Sequence, residues 1–420
     1  MSYTEDLIRY ISASPTAFQA VEEQKEMLLS AGFTELKEEE KWNLRLSGSY
    51  FVTRNSSALI AFRIPKKTPE KTMIVATHAD SPAFKVKTDP EMTVAQSYVK
   101  LNVEAYGGAV YSSWFDRPLS VAGRVFVKDK DNVTEIPVDL KKDLCMIPSL
   151  AIHMDRDTNK GHEIKVQEEL LPLLSSDKDV LLYDLIAKKL KRKREEILSA
   201  DLFVYNRQEA VIWGAKKEFL SSPRLDDLSC AYASVRGLIE TKKPEALALH
   251  VMFNHEEVGS SSTEGACSTF LKDTLERIAE AIFKDRESYL TFLAKSLLLS
   301  ADNGHALHPN YPEKCDPTNR PVMGKGVLLK FSGNQKYTTD ASSAVKVKLL
   351  AEKAGISLQT YHNHSDLPGG STLGNLCVHQ MAIQAADIGI AQLAMHSSYE
   401  TCAVSDLSDL YRLLSVFFVS

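Results

Sequence analysis

The segment NHEEVGSSSTEG, residues 254–265, sets Glu256 beside Glu257 directly after the apolar run ALALHVMF. Adjacent carboxylates in a partly desolvated place raise each other's pKa and resist ionising together, so a cation is expected to receive them. Four other stretches carry residues of a matching type. VATHADSP contains His78 and Asp80, SSPRLDDLSC contains Asp226 and Asp227, SADNGHALHPNY contains Asp302 with His305 and His308, and QLAMHSS contains His396. Singly, each has an ordinary explanation: a structural His–Asp pair, acids complementing a helix N-terminus, or a histidine at the rim of a core. Together they stand at the C-terminal ends of predicted strands, where open α/β sheets place their ligand crevices.

His78, Asp226, Glu257, Asp302 and His396 provide two imidazoles and three carboxylates, the donor set of a dinuclear Zn, Mn or Co site. Two cations about 3.5–4 Å apart would lower the pKa of water towards about 7 and polarise a carbonyl. The two glutamates then divide the work, with Glu257 as ligand and Glu256 as the general base that takes a proton from the attacking water. Asp80 can accept the second ring N–H of His78 and so fix its tautomer.

Those residues need a scaffold that presents strand ends side by side. Helix-period patterning covers TEDLIRYISA and TAFQAVEEQKEMLLSAG, the second stopped by Gly32, and SALIAFRIP and KTMIVATHAD read as strands. Downstream, helices such as DDLSCAYASVRGLIE and ASSAVKVKLLAEKAG alternate with the runs ALALHVMF, SLLLSAD, SLQTYH and DIGIAQLAMH. Apolar runs this continuous predict an α/β fold, a mostly parallel sheet covered by helices on both faces. From 91 to 214 the pattern changes to short, turn-punctuated strands with one evident helix near 181–198. The expected organisation is a catalytic domain of residues 1–90 and 215–420, interrupted by a β-rich domain of residues 91–214.

The chain has 420 residues and a formal net charge of −5, which argues against a nucleic-acid or anionic-membrane specialist. Its one basic cluster, AKKLKRKREEIL at 187–198, reads as the solvated face of a helix. No secretory signal is visible, and no segment approaches the roughly 18 apolar residues of a membrane span, so a cytoplasmic protein is expected. The six cysteines form no CxxC pair, so any metal would use histidine and carboxylate.

With these residues assembled, the chain resembles the aspartyl aminopeptidase family of dinuclear zinc metallo-aminopeptidases over nearly its whole length. The likeness runs in order through ISASPTAF, HADSPAFKVK, YGGAVYSSWFDRPL, IPSLAIHMDR, SPRLDDL, HEEVGS, SADNGHALHPNY, YTTDASSA, GGSTLG and QLAMHSSYE. The resemblance implies that Asp226 bridges two metal ions, with His78 and Asp302 completing one site and Glu257 and His396 the other. It makes Glu256 the general base and Asp80 the partner of His78, and it implies a cis peptide after Asp226. It also implies that the inserted region is a dimerisation domain, that His153 reaches the partner subunit's active site, and that dimers build a tetrahedral dodecamer open only to peptides.

The YTTDASSA and GGSTLG stretches place Lys336, Tyr337, Gly370 and Ser371 as candidates for substrate binding. Asn334 stands where acid-specific members carry a lysine, and Gly369 where many have a cysteine. Removal of N-terminal residues from peptides, acidic ones among them, is the activity expected. The alternatives are a related dinuclear carboxypeptidase or amidohydrolase, and a non-catalytic structural or binding protein that keeps the fold.

Overall fold

A computed structural model describes residues 2–367 and 369–420. Its backbone is organised by a nine-stranded sheet whose central strands are buried along their whole length. Thr72–His78 and Leu247–Phe253 are each buried at all seven positions, and Leu297–Ala301 at all five. These three and Gln384–Gly389 run parallel to one another, in register Phe253 with His78 and Ala301 with Ile388. Their C-terminal ends therefore share one edge. The flanks are mixed: Ala58–Arg63 is antiparallel to Leu247–Phe253, and Val327–Lys330 is antiparallel to Gln384–Gly389.

Period-two alternation assigns successive side chains of these strands to opposite faces. Met73 and Val75 join a core formed with the helices Tyr3–Ala13, Leu225–Glu240 and Val404–Val419, whereas Ile74 and Ala76 join one formed with Phe270–Ile282 and Leu373–Gln380. Helices thus cover both faces. Tyr3–Ala13 starts at a capping box between Ser2 and Glu5. The next helix, Ala17–Ser30, ends where Gly32 adopts φ +82° and the Phe33 N–H returns to the Leu28 carbonyl.

A six-stranded sheet formed by strands between Ala83 and Asn206 has a core of its own, centred on Phe84, Leu101, Val121 and Val204. A five-stranded sheet joins Val211–Trp213, Phe219–Ser222, Glu400–Ala403, Ala391–Leu393 and Gly304–His305. Two local expectations need correction. The helix that begins the basic cluster ends at Leu190, where Lys191 turns left-handed, and the rest of the run passes into the strand Ile197–Asn206. The run DIGIAQLAMH is not one strand: it leaves the large sheet at Gly389 and continues in the small one at Ala391. No helix among the described residues is long and apolar enough to cross a membrane.

Candidate metal centre

Three of the five expected donors come from the shared edge of the large sheet. His78 ends its strand, Asp302 follows Ala301 directly, and Glu257 lies in the short 3-10 turn Glu256–Val258 just beyond Phe253. The other two are delivered by the small sheet. Asp226 follows Phe219–Ser222 in the first turn of Leu225–Glu240, and His396 follows Ala391–Leu393. The Asp226–Asp227 peptide is cis.

Asp226 is 3% exposed and divides its carboxylate between two neighbours. Its Oδ1 lies 3.7 Å from His78 Nε2, and its Oδ2 lies 3.7 Å from His396 Nε2. On the first side Asp302 Oδ1 is 3.9 Å from His78 Nε2, and on the second Glu257 Oε2 is 3.3 Å from His396 Nε2. Donor atoms 2.0–2.2 Å from a zinc ion stand roughly 3.3–3.6 Å apart across a tetrahedron, so these separations suit ligands around a cation better than direct hydrogen bonds. Among the described residues, Asp226 Oδ1 and Glu257 Oε1 are buried with no hydrogen-bond partner. Buried carboxylate oxygens left this way are costly unless a cation meets them. The donor set fits divalent metal on both sides of Asp226.

The same deficit of positive charge appears in the acidities. Burial pushes the Asp226 carboxyl well above the ordinary range, with Asp302 adding to it, and burial does the same to Glu257 and Asp227. Glu256 is pushed up to about 7, chiefly by burial, with Asp302 and Asp80 reinforcing and His78 opposing.

Carboxylates outside the donor set hold the backbone in place. Asp80 accepts the N–H of Glu256 through Oδ1 and that of Glu257 through Oδ2, each at 3.1 Å, and its Oδ1 is 3.5 Å from His78 Nδ1. His78 Nδ1 also lies 3.1 Å from the Asp80 carbonyl oxygen. Asp227 Oδ2 accepts the His78 N–H at 3.1 Å. Glu400 accepts the N–H of Asp226 through Oε2 at 3.0 Å and that of His396 through Oε1 at 2.8 Å. The buried Lys330 donates to the Asn303 carbonyl at 2.6 Å. Sequence reasoning did not single out Glu400 or Lys330. Lys330 had a signal, a charged residue closing the buried run VLLK; Glu400 had none beyond its place in QLAMHSSYE.

Of the substrate candidates, Lys336 donates to the Gly369 carbonyl at 2.6 Å, and Tyr337 is buried, its hydroxyl accepting from Asn363 Nδ2 at 3.2 Å. Ser371 is exposed and donates to Asn375 Oδ1, and Gly370 is exposed beside it. Gly369 and Asn363 line an open pocket together with His305, His308 and Ala394. His153 is exposed in the turn closed by the Met154 N–H on the Ala151 carbonyl, and among the described residues it shares no hydrogen bond or ion pair with the donor cluster. Asn334 is exposed.

The profile of the family described as aminopeptidase I zinc metalloprotease (M18) matches residues 10–418. The chain belongs to the M18 family. Among curated M18 relatives, a probable M18 family aminopeptidase 2 of Clostridium novyi is 42% identical over 416 residues, covering 97% of this chain and 96% of that protein. A protein of the same name from Pseudomonas savastanoi pv. phaseolicola is 38% identical, with 99% and 97% covered. Among solved structures, Ape4 in its complex with Nbr1 superposes with a TM-score of 0.95 at 34% identity, over 99% of this chain and 85% of that one. The mApe1 dodecamer of Saccharomyces cerevisiae superposes at 0.88 with 26% identity, over 99% and 95%. M18 membership makes this chain one of a family of zinc-dependent aminopeptidases, the aspartyl aminopeptidase family that its motifs resemble.

Proposed function

We propose that this chain removes the unblocked N-terminal residue of peptides at a centre of two divalent cations, zinc foremost, with cobalt or manganese as substitutes. The observation that carries the reading is the two-sided environment of Asp226, whose oxygens face His78 and His396 separately. When bound, such cations lower the pKa of water and polarise the scissile carbonyl. His78 and Asp302 would hold one cation, Glu257 and His396 the other, and Asp226 both.

Glu256 then accepts the proton of the attacking water and returns it to the departing amine. Asp80 keeps Glu256 and Glu257 pointing to different tasks by accepting both backbone N–H groups. Lys336, whose ammonium ends on the Gly369 carbonyl rather than on a carboxylate, is the residue we assign to an acidic first side chain.

We assign the strands of residues 91–214 to a dimerisation domain. Leu150, Ile152 and Met154 are 60%, 46% and 74% exposed around His153, an apolar surface suited to a partner subunit. A homo-oligomer of dimers, reaching a tetrahedral dodecamer, is the assembly we propose, with the dodecameric mApe1 as support. Six free cysteines are consistent with a cytoplasmic location.

The test is a rate profile over aminoacyl anilides and their N-acetyl counterparts, with Zn, Mn and Co restored separately to chelated protein. Full activity without metal, or hydrolysis of the blocked substrates alone, would overturn the proposal.

A further inference from the structure

The strand Tyr98–Tyr106 belongs to the six-stranded sheet, yet the turn that leaves it reaches three separate parts of the metal centre. The Tyr106 hydroxyl donates to Asp80 Oδ2 at 2.7 Å, on the same oxygen that accepts the Glu257 N–H. Gly107, at φ +71°, packs so closely that a Cβ there would lie 3.1 Å from the Glu257 Cβ and 3.3 Å from the Glu257 carbonyl oxygen. The Gly108 carbonyl lies 3.1 Å from His396 Nδ1, leaving Nε2 to face Asp226 and Glu257. Two further bonds bind the turn to the same loop: the Val110 N–H to the His396 carbonyl at 2.9 Å, and the Ser398 N–H to Ser113 Oγ at 2.8 Å.

We infer that the Tyr106–Gly108 turn is a positioning element for the second cation, the one assigned to Glu257 and His396, so that the affinity of the centre depends on how the six-stranded sheet is seated. The inference rests on the metal assignment proposed above and extends it to residues that touch no metal. A carbonyl accepting the second ring N–H fixes the tautomer of a ligating histidine, and a hydroxyl on Asp80 fixes the carboxylate that orients Glu256 and Glu257. Removing partners of this kind typically costs 10–100-fold in metal affinity. The contacts are lopsided. Glu257 and His396 are touched directly, whereas Asp302 is held by Lys330 and Asp226 by Glu400, which also accepts the His396 N–H.

The experiment measures stepwise Zn affinity by competition with a chromogenic chelator for the full chain, Tyr106→Phe, Gly107→Ala and the control Gly32→Ala. Gly32 has φ +82° and nothing within 4 Å of the point where a Cβ would stand, so its substitution carries the backbone penalty without the contact on Glu257. Tyr106→Phe and Gly107→Ala are expected to weaken one of the two Zn steps by about 10–100-fold, the same step in both variants, while the fold, followed by circular dichroism, stays as in the parent. Gly32→Ala is expected to bind as the parent does. Unchanged affinity in both turn variants, or an equal loss in Gly32→Ala, overturns the inference, and so does a loss of turnover with both Zn steps intact. If the parent chain itself takes up no divalent metal, the proposed function falls and this inference with it; parent binding with unaltered variants removes this inference alone.

Discussion

The Lys330 ammonium lies 3.8 Å from Asp302 Oδ2, with side chains only 2% and 11% exposed. It is a buried cation at the edge of the acidic cluster that holds Asp302. Removing one member of such a pair leaves an uncompensated charge and costs roughly 3–5 kcal/mol. Lys330→Met is therefore expected to destabilise the metal-free protein by about that amount and the metal-loaded protein by less, because a cation on Asp302 supplies the missing charge. Denaturant unfolding with added Zn and with chelator measures both; equal losses in the two conditions would show that Lys330 is not a counter-charge.

Glu256→Gln is expected to keep both cations and to lower kcat by roughly 10²- to 10⁴-fold, the usual worth of positioned acid–base catalysis. Glu257→Gln is expected to lose affinity for metal instead. Metal content by atomic absorption alongside kcat separates them, and the reverse pattern would mean that the roles of the adjacent pair are exchanged.

His250 is buried between Ser234 Oγ at 2.7 Å and Gln24 Oε1 at 3.0 Å, and burial pushes its pKa down to about 3. The unfolded chain, with an ordinary histidine near 6.5, therefore binds a proton that the folded chain refuses between those values. Stability contributed by the neutral ring is complete above about pH 6.5 and is lost as pH falls towards 3, on the order of 3 kcal/mol by pH 4. Replacing the ring in His250→Gln is expected to flatten the pH dependence of unfolding over that window. A parent-like slope in the variant would assign the acid sensitivity to other groups.

His153 is expected to act across a subunit interface. His153→Ala and Glu256→Gln should each be nearly inactive, since losing a donor to a developing oxyanion typically costs about 10²- to 10³-fold. Chains unfolded together and reassembled would form mixed dimers in which one site carries both lesions and the other neither, and part of the activity should return. Mixed particles, verified by mass, that stay as inactive as their parents would remove His153 from the neighbouring site.

The donors at strand ends were legible because the chemistry and the topology leave one pattern. A strand buried at every position ends abruptly in a polar residue, and His78, Glu257 and Asp302 each follow such a run. Asp226 and His396 join the same cluster from a small sheet that the patterning does not predict. The segment from Gln384 to Leu393 reads as one apolar run, and only the pairing partners reveal that it changes sheets. Glu400 and Tyr106 were invisible for a related reason. Tyr106 reaches Asp80, and Glu400 reaches Asp226 as well as the nearby His396, through bonds to a carboxylate or a backbone N–H that no spacing rule announces.

The strand that ends in His78 is flanked on one side by Leu247–Phe253 and on the other by Leu297–Ala301. About 170 residues of chain separate it from the earlier of these neighbours, which at about 5–20 residues per second is on the order of ten seconds of synthesis. Throughout that interval a nascent chain carries a seven-residue strand, Met73–Ala76 apolar at its centre, with both hydrogen-bonding edges unpaired, the kind of surface that templates association between chains. Burying the metal edge at the centre of the sheet thus delays its completion until most of the polypeptide has been made, and places the hazard of biogenesis on the same strand that supplies His78.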